Sequence, residues 1–166
     1  MGERLEGRRG RLCLAGRVRP SEKKHLSARA GLRDDGRTMK RVLLLGLLPS
    51  VVDFSTIPDL TEEKLDASLK AQEKSLRDLG FDASWCLVDL GETAQAVAKA
   101  ALDSRAWDVV LIGAGVRTIP AQFALFEKLI NVVHEHAPKA KICFNTRPDD
   151  TEEAVLRWIE APGKAG

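Results

Sequence analysis

The chain of 166 residues has no tyrosine, three cysteines and no long apolar run, and each scarcity excludes something. Cys13, Cys86 and Cys143 are too few and too scattered for a disulfide framework, and they form neither a CxxC pair nor a zinc-finger spacing. Cys86 and Cys143 lie inside short apolar runs, where a free thiol acts as a small hydrophobe. A reducing, cytoplasmic setting is the expectation. The run Arg41-Val-Leu-Leu-Leu-Gly-Leu-Leu48 ends at Pro49 and Ser50, well short of the roughly 18 apolar residues a spanning helix needs. No membrane partner is expected. There is no GxxxxGK[ST] phosphate loop and no GxSxG elbow.

The net charge of +2 is a sum of unlike parts. Residues 1–38 carry 11 Lys/Arg against 5 Asp/Glu, a balance of +6, whereas residues 39–166 carry 15 against 19, a balance of −4. The first segment scatters nine arginines among six glycines without any apolar run, which is not the pattern expected of a signal peptide. Its five acids argue against a transit peptide, and no aromatic residue interleaves its charges to stack on bases. Nucleic acid is therefore not an expected partner. Residues 1–38 are expected to be a disordered basic extension, with Met39 as an alternative natural start, and residues 39–166 a single α/β domain.

From residue 41 the pattern alternates regularly. Val42–Leu48, Ser84–Val88, Asp108–Ala114 and Lys141–Asn145 read as buried strands rich in Val, Ile and Leu. Between and after them, Thr61–Leu79, Glu92–Ser104, Ile119–Ala137 and Thr151–Glu160 read as helices. Alternating strands and helices predict a three-layer α/β/α domain with a four-stranded parallel sheet in order 2-1-3-4, a Rossmann-like or flavodoxin-like half. The helix Ile119–Ala137 carries two apolar stripes. Phe123, Phe126, Ile130 and Val133 are expected on the sheet; Leu125, Leu129 and Val132 are left for a neighbouring helix or a homodimer contact.

In such sheets ligands bind beyond the carboxyl ends of the strands where the strand order reverses, here between strands 1 and 3. The flanking loops are Pro49–Leu60 and Gly113–Thr118. The first, with Ser50, Asp53, Ser55, Thr56 and Asp59 among apolar residues, is long enough to be a binding loop, or else a plug over the core. The second, Gly113-Ala-Gly-Val-Arg-Thr118, resembles the opening of a GxGxxG motif, but Thr118 replaces the third glycine and the motif follows the third strand, not the first. Three helices begin beside acids: Glu62 and Glu63, Asp89 and Glu92, Asp149 to Glu153. Only the helix entered through Arg117-Thr-Ile-Pro120 lacks one, which leaves its amino end as the seat for an anion.

Arg117 and Arg147, at the ends of adjacent strands, would clamp a phosphate or carboxylate, with Asn145 and Thr146 on the rim. The alternative pairs Arg147 with Asp149 or Asp150. The expected binding residues are thus Ser50, Gly113, Gly115, Arg117, Thr118, Asn145, Thr146 and Arg147. Asp53 and Asp89 are the candidate acid/base pair of an alternative hydrolase or transferase, though Asp89 also stands where a helix cap would. His134 and His136 lie at the far end of the sheet. Trp85, Trp107 and Trp158 are not expected to flank a flavin at the crevice. No metal set and no cofactor are assigned.

The segments Lys40-Arg-Val-Leu-Leu-Leu-Gly46, Asp108-Val-Val-Leu-Ile-Gly-Ala-Gly-Val-Arg117 and Phe144-Asn-Thr-Arg-Pro148 resemble a family of small bacterial α/β proteins with no assigned activity. The resemblance spans residues 39–160 and implies a Rossmann-like fold; it implies no catalytic residue. The residues themselves lead to a protein that binds a nucleotide, phosphate or carboxylate metabolite, with an enzyme or a homo-oligomeric interaction protein as alternatives.

Overall fold

The computed structural model describes residues 39–91 and 93–162. The basic segment 1–38, with Cys13 and His25, and the acid Glu92 lie outside the described residues. Four strands, β1 (Arg41–Leu47), β2 (Asp82–Val88), β3 (Val109–Ile112) and β4 (Lys141–Phe144), form one all-parallel sheet in the order β2-β1-β3-β4. The register pairs Leu44 with Trp85 on one side and with Leu111 on the other, and Ile112 with Phe144. Every residue of β1 after Arg41 and all of β3 are buried, which is why these strands read as unbroken apolar runs.

Alternate residues of the strands feed two cores. Leu43, Leu45, Val110 and Ile112 face helices α2 (Ala94–Asp103) and α4 (Phe123–His136); Val42, Leu44, Val109 and Leu111 face α1 (Glu62–Asp78) and α5 (Thr151–Leu156). The result is the expected three-layer α/β fold. Thr61 caps α1 through its hydroxyl, which accepts from the Lys64 amide at 3.3 Å, and Gly80 ends it in the left-handed region at φ 92°. Ala94 and Ala98 let α2 lie close on the sheet, while Val97 is 40% exposed. The two edge strands are partly covered by arginines: Arg77 Nε donates to the Ala83 carbonyl at 3.0 Å, and Arg157 Nη2 to the Phe144 carbonyl at 2.8 Å. Cys86 and Cys143 are buried, and burial pushes the Cys143 thiol up to about 12. Among the described residues no helix is long and apolar enough to cross a membrane.

The segment after β3 departs from expectation twice. In place of one helix over Ile119–Ala137, the chain forms a short helix α3 (Ala114–Arg117), a 3-10 turn at Pro120–Gln122, and then α4. Proline at 120 has no amide hydrogen to continue the first helix, so the chain turns there and restarts. Within α4 the buried stripe is Leu125, Leu129 and Val133, flanked by half-buried Phe126, Ile130 and Val132, whereas Phe123 is 65% exposed. Of the two places left open for the stripe Leu125, Leu129 and Val132, the structure shows the neighbouring helix: it lies inside this chain's own core, between the sheet and α2. Both apolar stripes are contiguous on the helix surface; the sheet takes their shared centre and not one of them. At the far end of this layer His136 Nδ1 lies 2.8 Å from Asp103 Oδ1, joining the carboxyl ends of α4 and α2.

Candidate functional site

At the carboxyl ends of β1 and β3 lies a cavity of about 280 Å³. Its walls come from Gly46 and Leu47 of β1, the Gly113–Val116 turn, Asn145–Pro148 after β4, and Leu65, Leu69 and Gln72 of α1. The long β1–α1 loop supplies Val52, Ile57 and Leu60 to the same cavity, while Val51 and Val52 also pack on the α2/α4 core. That loop is thus at once a wall of the crevice and a cover for the core.

Gly46 sets the depth of the crevice. A Cβ there would stand 2.8 Å from Cζ3 of Trp85, whose ring lies diagonally across from β2. The ring is held in place because its Nε1–H donates to the Leu69 carbonyl at 2.9 Å. Trp85 therefore lines the crevice; an indole needs a vacant neighbour to lie flat over a strand, and glycine provides it. Gly113 is confined for another reason: its Cβ would meet the Leu45 carbonyl at 3.3 Å, and its amide donates to that carbonyl at 2.8 Å. Gly115 is exposed, with only Leu47 Cδ1 near, at 3.9 Å.

Asn145 is the hub of the polar wall and is 3% exposed. Its Oδ1 accepts from the Ala114 amide at 2.7 Å, and its Nδ2 donates to Thr151 Oγ1 at 2.9 Å. Thr151 Oγ1 donates in turn to Gln72 Oε1, and Gln72 Nε2 donates to Ser68 Oγ at 2.9 Å. A backbone N–H can only donate, so Ala114 fixes the orientation of the Asn145 amide and, through it, the direction of the whole chain. Gln72 was not anticipated from sequence. Its signal is positional: with Leu65, Leu69 and Leu76 it falls on the buried stripe of α1, where a polar side chain must find partners.

The structure brings Gly113, Gly115, Thr118, Asn145, Thr146 and Arg147 together around this cavity, and leaves Ser50 and Arg117 outside its lining. Ser50 is exposed in a 3-10 turn at Pro49–Val51. Arg117 ends the single helical turn α3 and points back under the strand end. Its Nη2 donates to the Asn145 carbonyl at 2.8 Å, its guanidinium lies 5.7 Å from the Phe144 ring centre, and its buried Nε has no hydrogen-bond partner among the described residues. Arg147 Nε instead bonds Asp149 Oδ1 at 3.1 Å, and both side chains are exposed. Each of the two arginines thus has a partner of its own, the Asn145 carbonyl for one and Asp149 for the other. The amino end expected to seat an anion, that of the helix read from Ile119, is here a 3-10 turn at Pro120–Gln122 leading into α4, and the helix end that meets the crevice is that of α3, whose first amide Asn145 Oδ1 already takes.

Asp150 organises the rim. Its carboxylate accepts from the Thr146 hydroxyl and from the amides of Thr146 and Arg147 at 3.0 and 3.1 Å. Burial pushes this carboxyl up, but the Thr146 hydroxyl, the two amides and the Arg147 charge outweigh burial and hold it below its ordinary 3.8. The ionised form is therefore favoured by the fold, and its stabilisation is present above the ordinary pKa and lost as pH falls through the lower folded value. Asp150→Asn is expected to lower stability by about 0.5–2 kcal/mol near neutral pH. Urea melts of the two proteins should converge as the pH drops below 3.8. A gap that keeps its size well below pH 3.8 would contradict this role.

Asp53 and Asp89 are each taken up in their own turn. Asp53 accepts from the Ser55 hydroxyl and amide at 2.6 and 3.0 Å, and these bonds lower its pKa. Asp89 accepts from the Thr93 hydroxyl at 2.8 Å and the Gly91 amide at 3.1 Å, with the same effect. Neither lines the crevice cavity. Asp53, with Leu90, Gln122 and Lys128, instead borders a larger depression of about 780 Å³ that meets the crevice at Ile57, Thr118 and Ile119. Among the described residues no group of three or more His, Cys, Asp or Glu gathers where a metal ion would be held. No family model matches the chain, and no curated protein matches it.

Proposed function

We propose that this protein binds a small anionic organic molecule in the crevice between β1 and β3. The observation that carries the reading is the cavity itself, which lies where the strand order reverses and is bordered by six of the eight binding residues expected from sequence. Among the described residues none that lines the cavity is acidic, and Arg147 stands at the rim as a cation. At about 280 Å³ the cavity is near the lower end of small-molecule sites, which favours a compact metabolite over a dinucleotide. In this reading the domain is Rossmann-like and works in a reducing, cytoplasmic setting, to which its two buried thiols are suited. The hydrolase or transferase alternative has less behind it, because Asp53 and Asp89 are held ionised within separate turns.

A thermal-shift panel of mononucleotides, inorganic phosphate and small carboxylic acids tests the proposal. One class should raise the Tm of the wild type by several degrees at a ligand excess of about a hundred times Kd. Gly115→Phe places a ring at the cavity wall from an exposed position, and it should abolish that shift with little change in its own Tm. The proposal fails if no anion moves the melting curve, or if the shift is undiminished in Gly115→Phe.

A further inference from the structure

The polar wall of the crevice bears on the class of ligand. Gln72 and Asn145 are both nine-tenths or more buried and both line the cavity. The direction of the chain from Ala114 through Asn145, Thr151 and Gln72 to Ser68 assigns one N–H of each carboxamide and leaves the second N–H of each without a partner among the described residues. Each amide oxygen already accepts one bond, and a second unused lone pair on a carbonyl is a smaller deficit than an unused buried N–H. The wall therefore asks for an acceptor. The rest of the lining is mainly apolar: Leu65, Leu69, Trp85, Ile57 and Leu60 face the same volume.

We infer that the ligand is a small monocarboxylate with an apolar body, its carboxylate on the amides of Gln72 and Asn145 and its body against Trp85 and the α1 leucines. This deepens the function proposed above and rests on it. Two amide donors with one exposed, already paired arginine at the rim suit a single negative charge. They do not suit a phosphate, whose greater charge calls for several cations or a run of backbone amides. An ammonium group has no carboxylate here to meet.

Isothermal titration of the full chain at pH 8 with hexanoate, hexylamine and inorganic phosphate provides the test. Hexanoate should bind at least about tenfold more tightly than either competitor, the effect expected of charge-assisted hydrogen bonds. Gln72→Leu should weaken hexanoate by about tenfold or more. Because that change also removes the acceptor for Thr151, Gln72→Glu is the second variant: it keeps the acceptor, exchanges the N–H for a negative charge, and should reverse the preference toward hexylamine. If either variant binds hexanoate as the wild type does, the inference is overturned. If phosphate or a mononucleotide binds better than hexanoate, and Gly115→Phe abolishes that binding, the carboxylate assignment is wrong while the crevice remains the site. If neither these probes nor the anion panel bind, the proposed function falls with it.

Discussion

Asn145→Ala is expected to lower the stability of the domain by about 2–4 kcal/mol, because the lost amide strands partners on two elements. The Ala114 N–H loses the acceptor that lies 2.7 Å away, and Thr151 Oγ1 loses its donor at 2.9 Å. Ala114 opens the turn after β3, and Thr151, fully buried, opens α5. One side chain thus ties the ends of two neighbouring strands to a helix in the opposite layer. A stranded buried donor forfeits its desolvation free energy as well as the bond, so the effect exceeds that of an exposed cap. Urea unfolding of the variant measures the difference. A change below about 0.5 kcal/mol, the range of ordinary surface substitutions, would contradict the assigned role.

Leu129→Ala should have an effect at least as large, a loss of about 2–5 kcal/mol, because Leu129 is fully buried at the centre of the α2/α4 layer. The reading that gave this stripe to a homodimer predicts something different. A subunit contact would make the melting temperature rise with protein concentration and would leave a diluted monomer nearly indifferent to the substitution. Burial within one chain predicts a loss of the same size at every concentration. Melting curves over a hundredfold concentration range separate the two, and convergence of variant and wild type on dilution would overturn the structural assignment.

The layer order and the place of the crevice were legible in the sequence because they follow from one-dimensional signals. Unbroken apolar runs mark strands buried on both faces, and the alternation of strand and helix restricts the topology. Asn145, Thr146, Gly113 and Thr118 border the crevice because the ends of adjacent strands must converge. Arg117 was misjudged because its direction depends on how α3 ends. A helix read as starting at Ile119 leaves residue 117 in an open loop, whereas a single helical turn closed by Pro120 sends the guanidinium back to the Asn145 carbonyl.

The apolar face of α4 was read as two stripes because the residues at 100° spacing are continuous around nearly half the helix. Which arc faces the sheet is fixed only by where α2 lies. Gln72 and Trp85 were missed for a related reason. Each gains its role from a neighbour far away in sequence, Thr151 for the one and Gly46 for the other, and neither pairing has a local signature. A polar residue on an apolar stripe and a glycine within a buried strand are nonetheless visible beforehand, and together they mark the crevice.

The central claim is that the crevice between β1 and β3 is the ligand site, and backbone amide chemical shifts during a titration with the tightest-binding of hexanoate, phosphate and the panel anions test it most directly. The amides that move are expected to cluster at Gly46, Gly113–Thr118 and Asn145–Arg147, accompanied by the indole N–H of Trp85. Shifts confined to Leu90, Gln122 and Lys128 around the neighbouring depression, or absent throughout at a saturating concentration, would contradict it.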